Sequence, residues 1–115
     1  MICGYLSPDG ILYSCNRYGH TSRASEIVNE LDIQRTKPFE MCEDVLLNNG
    51  WICIRTSDVY KNVYDCNKKI LFITDRQQEF FTAYKNEFNE HQLADIETLL
   101  KDFGKLYEWH KNDNT

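Results

Sequence analysis

A chain of 115 residues, of which 42% are hydrophobic and 27% charged, has the length and composition of one globular domain that buries its core without disulfides or metal. No apolar run approaches the length needed to cross a bilayer, and Met1 to Tyr5 lacks the pattern of a secretion signal, so we expect a cytoplasmic protein. The formal net charge of -5 disfavours direct nucleic-acid binding, because such affinity comes from Lys and Arg neutralising phosphates.

The beginning of the chain predicts a β-hairpin. Two short apolar runs, Ile2 to Leu6 and Ile11 to Cys15, flank the turn Ser7-Pro8-Asp9-Gly10. Proline sets φ at the first corner of this turn, and glycine accepts the positive φ that closes it. Because an isolated hairpin is only marginally stable, we expect it to join strands within 51–73 in one sheet.

Two helices are predicted after the hairpin. The first follows Thr21 or Ser22, either of which can cap it, and its apolar residues recur at helical spacing: Ala24, Ile27, Val28 and Leu31. The second is expected to place Pro38 in its first turn and to end at Gly50, which can adopt the left-handed conformation of a helix stop.

The middle of the chain predicts strands. Trp51 to Thr56 is a β-branched and aromatic run that follows a turn, and Ile70 to Ile73 is a second apolar run between polar residues. The alternation from Val59 to Tyr64 fits a third strand or a long hairpin arm.

Two capping boxes predict two C-terminal helices. Thr74 with Gln77 marks the start of the first helix, whose apolar stripe continues to Phe88. Asn89 with Gln92 marks the start of the second, whose apolar stripe continues to Tyr107. A joint this short between two helices predicts an antiparallel αα-hairpin.

Together these elements predict an α+β fold. A four- or five-stranded antiparallel or mixed sheet, formed by the hairpin 2–15 and strands within 51–73, is expected to be packed by four helices, with the αα-hairpin at the C-terminus. Residues 1–109 are expected to form a single domain and residues 110–115 a frayed tail.

The cysteines predict no metal site and no cofactor. Five are present, and none forms a C-x-x-C pair, so a zinc ribbon or a redox motif is disfavoured and reduced, mostly buried thiols are expected: Cys3, Cys15, Cys42, Cys53 and Cys66. Cys15 and His20 could act as nucleophile and base or as two metal ligands. Both interpretations are disfavoured, because a Cys-His enzyme needs the imidazole within hydrogen-bond reach of the sulfur and a zinc site needs three or four ligands, whereas His91 and His110 lie on or beyond the remote helical hairpin.

A candidate ligand loop gathers four residues at the amino end of the first helix, where backbone amides favour anions: Arg17, Tyr18, His20 and Arg23. One interpretation is a ligand-binding or enzymatic domain that takes a phosphate or a nucleotide. The other is structural, with His20 terminating the helix and Tyr18 packing on the sheet. The sequence holds no glycine-rich phosphate loop and neither of the motifs G-x-S-x-G and H-E-x-x-H.

A candidate partner-binding surface is predicted from exposed aromatics and acidic residues. Between Asp75 and Glu108 there are eight acidic and four basic residues, and tyrosine and tryptophan are favoured in interfaces. The residues assigned to this surface are Tyr60, Tyr64, Glu87, Glu90, Asp95, Tyr107 and Trp109.

A resemblance is carried by the segments GYLSPDGILYSCNRYGHTSRASEI, LLNNGWICI and ITDRQQEFF. Their pattern of a G-Y-x-S-P-x-G hairpin, a G-H helix start and a Gly-Trp strand resembles small uncharacterised proteins of phages and mobile elements of low-GC Gram-positive bacteria. The resemblance covers about half of the chain and implies a context in which such proteins, including anti-CRISPR proteins, inhibit host defence by masking a nuclease surface. It brings no catalytic residues.

The sequence therefore favours a non-enzymatic protein-binding module. Its expected partner is a larger protein, such as a host-defence nuclease, in the bacterial cytoplasm, and a second copy of the chain could also cover the exposed aromatics as a homodimer. The alternative is the small-ligand or enzymatic domain that uses the loop from Arg17 to Arg23.

Overall fold

The structure is a computed structural model that describes residues 3–55 and 72–113. Its elements in chain order are β1 (Cys3–Leu6), β2 (Leu12–Ser14), α1 (His20–Glu30), α2 (Cys42–Asn48), β3 (Ile52–Arg55), α3 (Asp75–Ala83), a 3₁₀ turn (Lys85–Glu87), α4 (Glu90–Asp102) and α5 (Leu106–Asp113). The predicted α+β class is confirmed.

The sheet has the order β2-β1-β3, and both pairings are antiparallel. The hairpin prediction is confirmed, as is its junction with a strand after Trp51. The expected four or five strands and four helices do not match the described residues, which contain three strands and five α-helices. Of the predicted strand region 51–73, residues 56–71 lie outside the described residues, among them the alternating segment from Val59 to Tyr64, and Phe72 and Ile73 are not in a strand.

Both faces of the sheet are covered. Tyr5 points to one face, where its ring contacts His20 of α1 and its hydroxyl donates to Glu43 of α2. Side chains alternate along a strand, so Leu6 and Ile54 point to the opposite face, and they are fully buried as well. The core therefore continues on both sides of β1.

Two helices end in the same glycine motif. After α2 the amide of Gly50 donates to Leu47 O and that of Trp51 to Leu46 O, while Gly50 has a φ of 86°. This Schellman arrangement confirms the predicted stop.

After α4 the amides of Gly104 and Lys105 make the same two bonds, and Gly104 has a φ of 71°. The predicted helix through Tyr107 is therefore two helices, α4 and α5.

Other helix boundaries also differ from the predictions. α1 is capped by Gly19 without a side-chain hydrogen bond, so the predicted caps Thr21 and Ser22 are wrong. α2 begins at Cys42, which leaves Pro38 in the preceding loop. The capping boxes of α3 and α4 are both confirmed.

The C-terminal region is a group of three helices. α3 ends at Ala83, before the predicted Phe88, and α5 packs against both α3 and α4. The expected αα-hairpin accounts for only two of these helices, because α5 is a separate third helix that reaches Asp113. None of the described helices combines the length and the apolar character that crossing a membrane requires.

Gln77 joins α3 to the sheet. It is fully buried, and its Nε2 donates to Gly50 O at 2.7 Å and to Ser7 O at 3.2 Å. Its Oε1 accepts the amide of Thr74 as part of the capping box. Gln92 occupies the matching position in α4 and is equally buried, but its Nε2 has no hydrogen-bond partner among the described residues.

This pair predicts unequal costs for the same substitution. Gln77→Leu removes the donor to buried carbonyls, and we expect it to lower the free energy of unfolding by about 2 to 3 kcal/mol. Gln92→Leu removes only the side chain's hydrogen bond in the capping box, and we expect the free energy of unfolding to fall by about 1 kcal/mol. Urea unfolding of both variants measures the difference, and equal losses would contradict the role assigned to Gln77.

Candidate functional site

The predicted ligand loop does not gather its four residues around one point. Arg17 and Tyr18 are exposed and engage each other, since the guanidinium donates to the tyrosine hydroxyl at 2.6 Å. Arg23 forms an ion pair with Glu26 at 2.9 Å. His20 is half-buried and turns toward the sheet, where it contacts Tyr5.

His20 lies between two thiols. Its Nε2 is 3.0 Å from Cys3 Sγ, and its Nδ1 is 3.3 Å from Cys15 Sγ. Ligand atoms of the three residues all lie within 4.8 Å of one another, and each of the three is half-buried. We call this group the thiol-imidazole cluster.

Two local features bring the thiol-imidazole cluster together. The β1–β2 register places Cys15 opposite Cys3, and the amide of Cys15 donates to Cys3 O at 2.8 Å. The loop after Cys15 is closed by Asn16, whose side chain accepts the amide of Tyr18 at 2.8 Å. This tight loop starts α1 at His20 and brings its ring back over β1.

A polar network lies beside the thiol-imidazole cluster. Glu43 Oε2 accepts hydrogen bonds from the Tyr5 hydroxyl and from the Arg55 guanidinium, the latter at 2.7 Å. Burial, and then the bond to Glu43, raise the pKa of Tyr5 well above its ordinary value. Glu43 also belongs to a second group of ligand atoms within 4.8 Å of one another, together with His20 and Cys53.

Two members of the thiol-imidazole cluster, His20 and Cys15, favour their uncharged forms near pH 7. Burial, with a contribution from the nearby Arg55, lowers the pKa of His20 to about 4. Burial and a hydrogen bond with Cys3 raise the pKa of Cys15 to about 12. A thiol with so high a pKa is a poor nucleophile at neutral pH, because the reactive species is the thiolate.

A cavity of about 460 Å³ adjoins the thiol-imidazole cluster. Its lining includes Thr21, which follows His20 in the chain, and Arg55, which pairs with Cys3 in the β1–β3 register. Arg35 and Met41 line its other side, on the segment that connects α1 to α2.

That connecting segment, residues 31–41, is tied together by Glu40. The carboxylate accepts the amide and the hydroxyl of Thr36, at 3.1 and 3.2 Å, and the side-chain amide of Asn48. The Glu40 carbonyl accepts from Arg35. We call this segment the 31–41 loop.

Besides Leu31 at its start, the 31–41 loop presents two large apolar side chains to solvent near its end. Phe39 is 99% exposed and Met41 is 63% exposed. Phe39 has a φ of 64°, a left-handed conformation that is uncommon for a bulky residue. A second cavity of about 320 Å³ lies beside them and is lined in part by Lys37, Pro38 and Asn48.

The predicted partner-binding residues do not form one exposed set. Glu87, Glu90 and Tyr107 are exposed and Asp95 is half-buried. The exposure expected for Trp109 is wrong: it is 2% exposed, and Lys85 places its ammonium 4.0 Å from the center of the indole ring. Tyr60 and Tyr64 lie outside the described residues.

Sequence reasoning considered Cys15 with His20 but missed Cys3. The predicted turn at 7–10 would set Cys3 opposite Ser14, whereas in the structure Ile11 joins the turn, so that Leu6 pairs with Leu12 and Cys3 lies opposite Cys15. Phe39 was missed because the segment before α2 was assigned to a helix, where an aromatic residue would have belonged to a buried stripe.

No protein-family model, curated protein or solved structure matches this chain.

The position of His20 predicts a pH dependence of stability. Its pKa is about 4 in the folded chain against an ordinary 6.5, so between these values the unfolded chain binds a proton that the folded chain does not. In chelator-treated protein, the free energy of unfolding should fall as the pH is lowered from 6.5 toward 4.

His20→Gln should reduce this pH dependence, whatever its effect at pH 7. His91→Gln, on an exposed position of α4, serves as the control and should keep the wild-type dependence. Urea unfolding across this pH range measures both, and identical curves for His20→Gln and wild type would contradict the assignment.

Proposed function

We propose that this chain is a non-enzymatic protein-binding module that docks on a larger protein through the 31–41 loop. The observation that carries the proposal is a fully exposed Phe39 held at a φ of 64° within a loop that its own hydrogen bonds close. Buried aromatic anchors dominate the energetics of protein interfaces, whereas an aromatic ring in water contributes nothing to the fold.

Preorganisation of the loop supports this function. Glu40 is bonded both to Thr36 within the loop and to Asn48 of α2, so the turn that carries Phe39 is fastened to the domain. A loop already held in its binding conformation loses less conformational entropy on association than a flexible one. Phe39 and Met41 flank Glu40 in the chain, and both line the cavity of about 320 Å³.

The backbone of Phe39 supports it as well. A bulky residue in the left-handed region costs on the order of 1 to 2 kcal/mol, which glycine or asparagine would reduce. The fold gains nothing from this residue's side chain, since it is exposed. The strained backbone at this exposed aromatic residue is explained if Phe39 contacts a partner rather than the rest of its own chain.

The resemblance to proteins of phages and mobile elements suggests the class of partner. We propose a host-defence effector, such as a CRISPR nuclease, whose functional surface the bound module covers. The cavities on either side of Met41 have room for side chains of such a partner. Glu87, Glu90 and Tyr107 are exposed in the C-terminal region, and none of them has a left-handed backbone conformation like that of Phe39.

The thiol-imidazole cluster does not favour the alternative of an enzyme. Both ring nitrogens of His20 face sulfur atoms, and the high pKa of Cys15 keeps that thiol protonated. Arg17 and Arg23, which would have held a phosphate, engage Tyr18 and Glu26 instead.

Truncating the apolar side chains of the loop should abolish partner capture. The full chain is used as bait in a lysate of the bacterial host, and the protein recovered in stoichiometric amount is identified and purified. For Phe39→Ala with Met41→Ala we expect binding weaker by about 30-fold or more, since a hot-spot truncation costs about 2 kcal/mol. Isothermal titration calorimetry measures the loss.

Tyr107→Ala is the matched control, because it removes an aromatic residue that is 73% exposed from the C-terminal helices. It should bind like wild type. If Tyr107→Ala alone loses binding, the interface lies on the C-terminal helices, which would contradict the proposal. If light scattering shows a homodimer for the wild type and a monomer for Phe39→Ala with Met41→Ala, the partner is a second copy of this chain.

Strain at Phe39 predicts that binding and stability change in opposite directions. Phe39→Gly should raise the free energy of unfolding by about 0.5 to 1 kcal/mol, because glycine adopts positive φ without a Cβ clash. The same variant should lose the partner. Thermal unfolding of Phe39→Gly and Phe39→Ala provides the measurement, and a destabilised glycine variant would contradict the assigned strain.

A further inference from the structure

We propose that Cys3, Cys15 and His20 bind a thiophilic d¹⁰ metal ion, of the class of Zn²⁺ and Cu⁺. Two sulfur atoms and a ring nitrogen, all within 4.8 Å of one another, are a donor set that such ions prefer. This site is separate from the 31–41 loop, so the inference stands or falls independently of partner binding.

The scaffold holds the three ligands without help from the ion. Cys3 lies in β1, Cys15 directly follows β2 and is held opposite Cys3 by its amide hydrogen bond to Cys3 O, and His20 is fixed by the start of α1. Ligands that come from three rigid elements are positioned more accurately than ligands on one loop. The structure thus supplies a prearranged site where the sequence showed only scattered cysteines.

The surrounding charges are compatible with a cation. Arg55 and Arg23, two cationic side chains close enough to act on Cys15, form ion pairs with Glu43 at 2.7 Å and with Glu26 at 2.9 Å. Their charges are thereby offset, and the two thiolates formed on binding supply negative charge for the ion.

Binding would proceed by exchange of protons for the ion. Each thiol gives up its proton to solvent, and the two sulfur electron pairs and one ring nitrogen bind the ion. Because the two sulfurs face different ring nitrogens, His20 or one thiol must adjust when the ion enters. The fourth position falls to water or to Cys53 or Glu43, which lie within 4.8 Å of His20.

The test is a titration of the full chain, reduced and freed of metal by a chelator, with Co²⁺ under anaerobic conditions. We expect one equivalent of Co²⁺ to produce a sulfur-to-cobalt charge-transfer band, and Zn²⁺ to remove the band by displacement. Zn²⁺ should also raise the unfolding temperature, because it binds the folded chain.

Ligand variants assign the site. Cys15→Ser and His20→Gln each remove a direct ligand of the ion. We expect each to weaken Co²⁺ binding by more than about 10- to 100-fold, which is the cost of losing a residue that only hydrogen-bonds to a ligand. Cys42→Ser is the matched control, because it removes a half-buried thiol that bonds to Ser25 and Arg35 outside the cluster. It should leave binding unchanged. Circular dichroism confirms that each variant is folded.

Two results would overturn the proposal. One is a wild-type chain that shows no charge-transfer band with Co²⁺. The other is a band that persists in the Cys3→Ser, Cys15→Ser double variant, which would assign the ion to other cysteines. Should the double variant fail to fold, Cys15→Ser alone decides, since Cys15 lies just beyond the end of β2 and is half-buried.

Discussion

The pairing of β1 with β2 on one side and β3 on the other is the constraint on which the rest of the structure depends. This register faces Cys3 toward Cys15 and Arg55, and Tyr5 toward Cys53. A slip of one residue would turn these side chains to the opposite face of the sheet. The thiol-imidazole cluster, the Tyr5 bond to Glu43 and the placement of α1 and α2 would then all be lost.

The C-terminal helices are attached to the same strand ends by polar contacts inside the core. Thr74 donates to Pro8 O at 2.6 Å while its hydroxyl oxygen accepts the amide of Gln77, and Gln77 in turn reaches Gly50. A capping box that stabilises a helix locally therefore also fixes its position on the sheet. α1 packs on β1 and α2 packs on β3. These two helices and their connection carry both the cluster and the 31–41 loop.

Local patterns predicted the parts of the fold that local chemistry determines. The hairpin, both capping boxes and the Gly50 stop follow from residues close in sequence, and the structure confirms them. Gly104 was overlooked because the apolar periodicity continues across it from α4 into α5. Burial of Trp109 and exposure of Phe39 depend on how helices pack and loops close, which periodicity does not encode. The cluster depends on a connection one residue longer than the predicted turn, which brings Cys15 rather than Ser14 opposite Cys3.

Hydrogen-deuterium exchange of the full chain, alone and bound to the partner it captures, tests the central claim most directly. The account predicts that binding protects amides within residues 31–41 and leaves those of 84–113 unchanged. Protection confined to 84–113, with exchange in the loop unaltered, would contradict it.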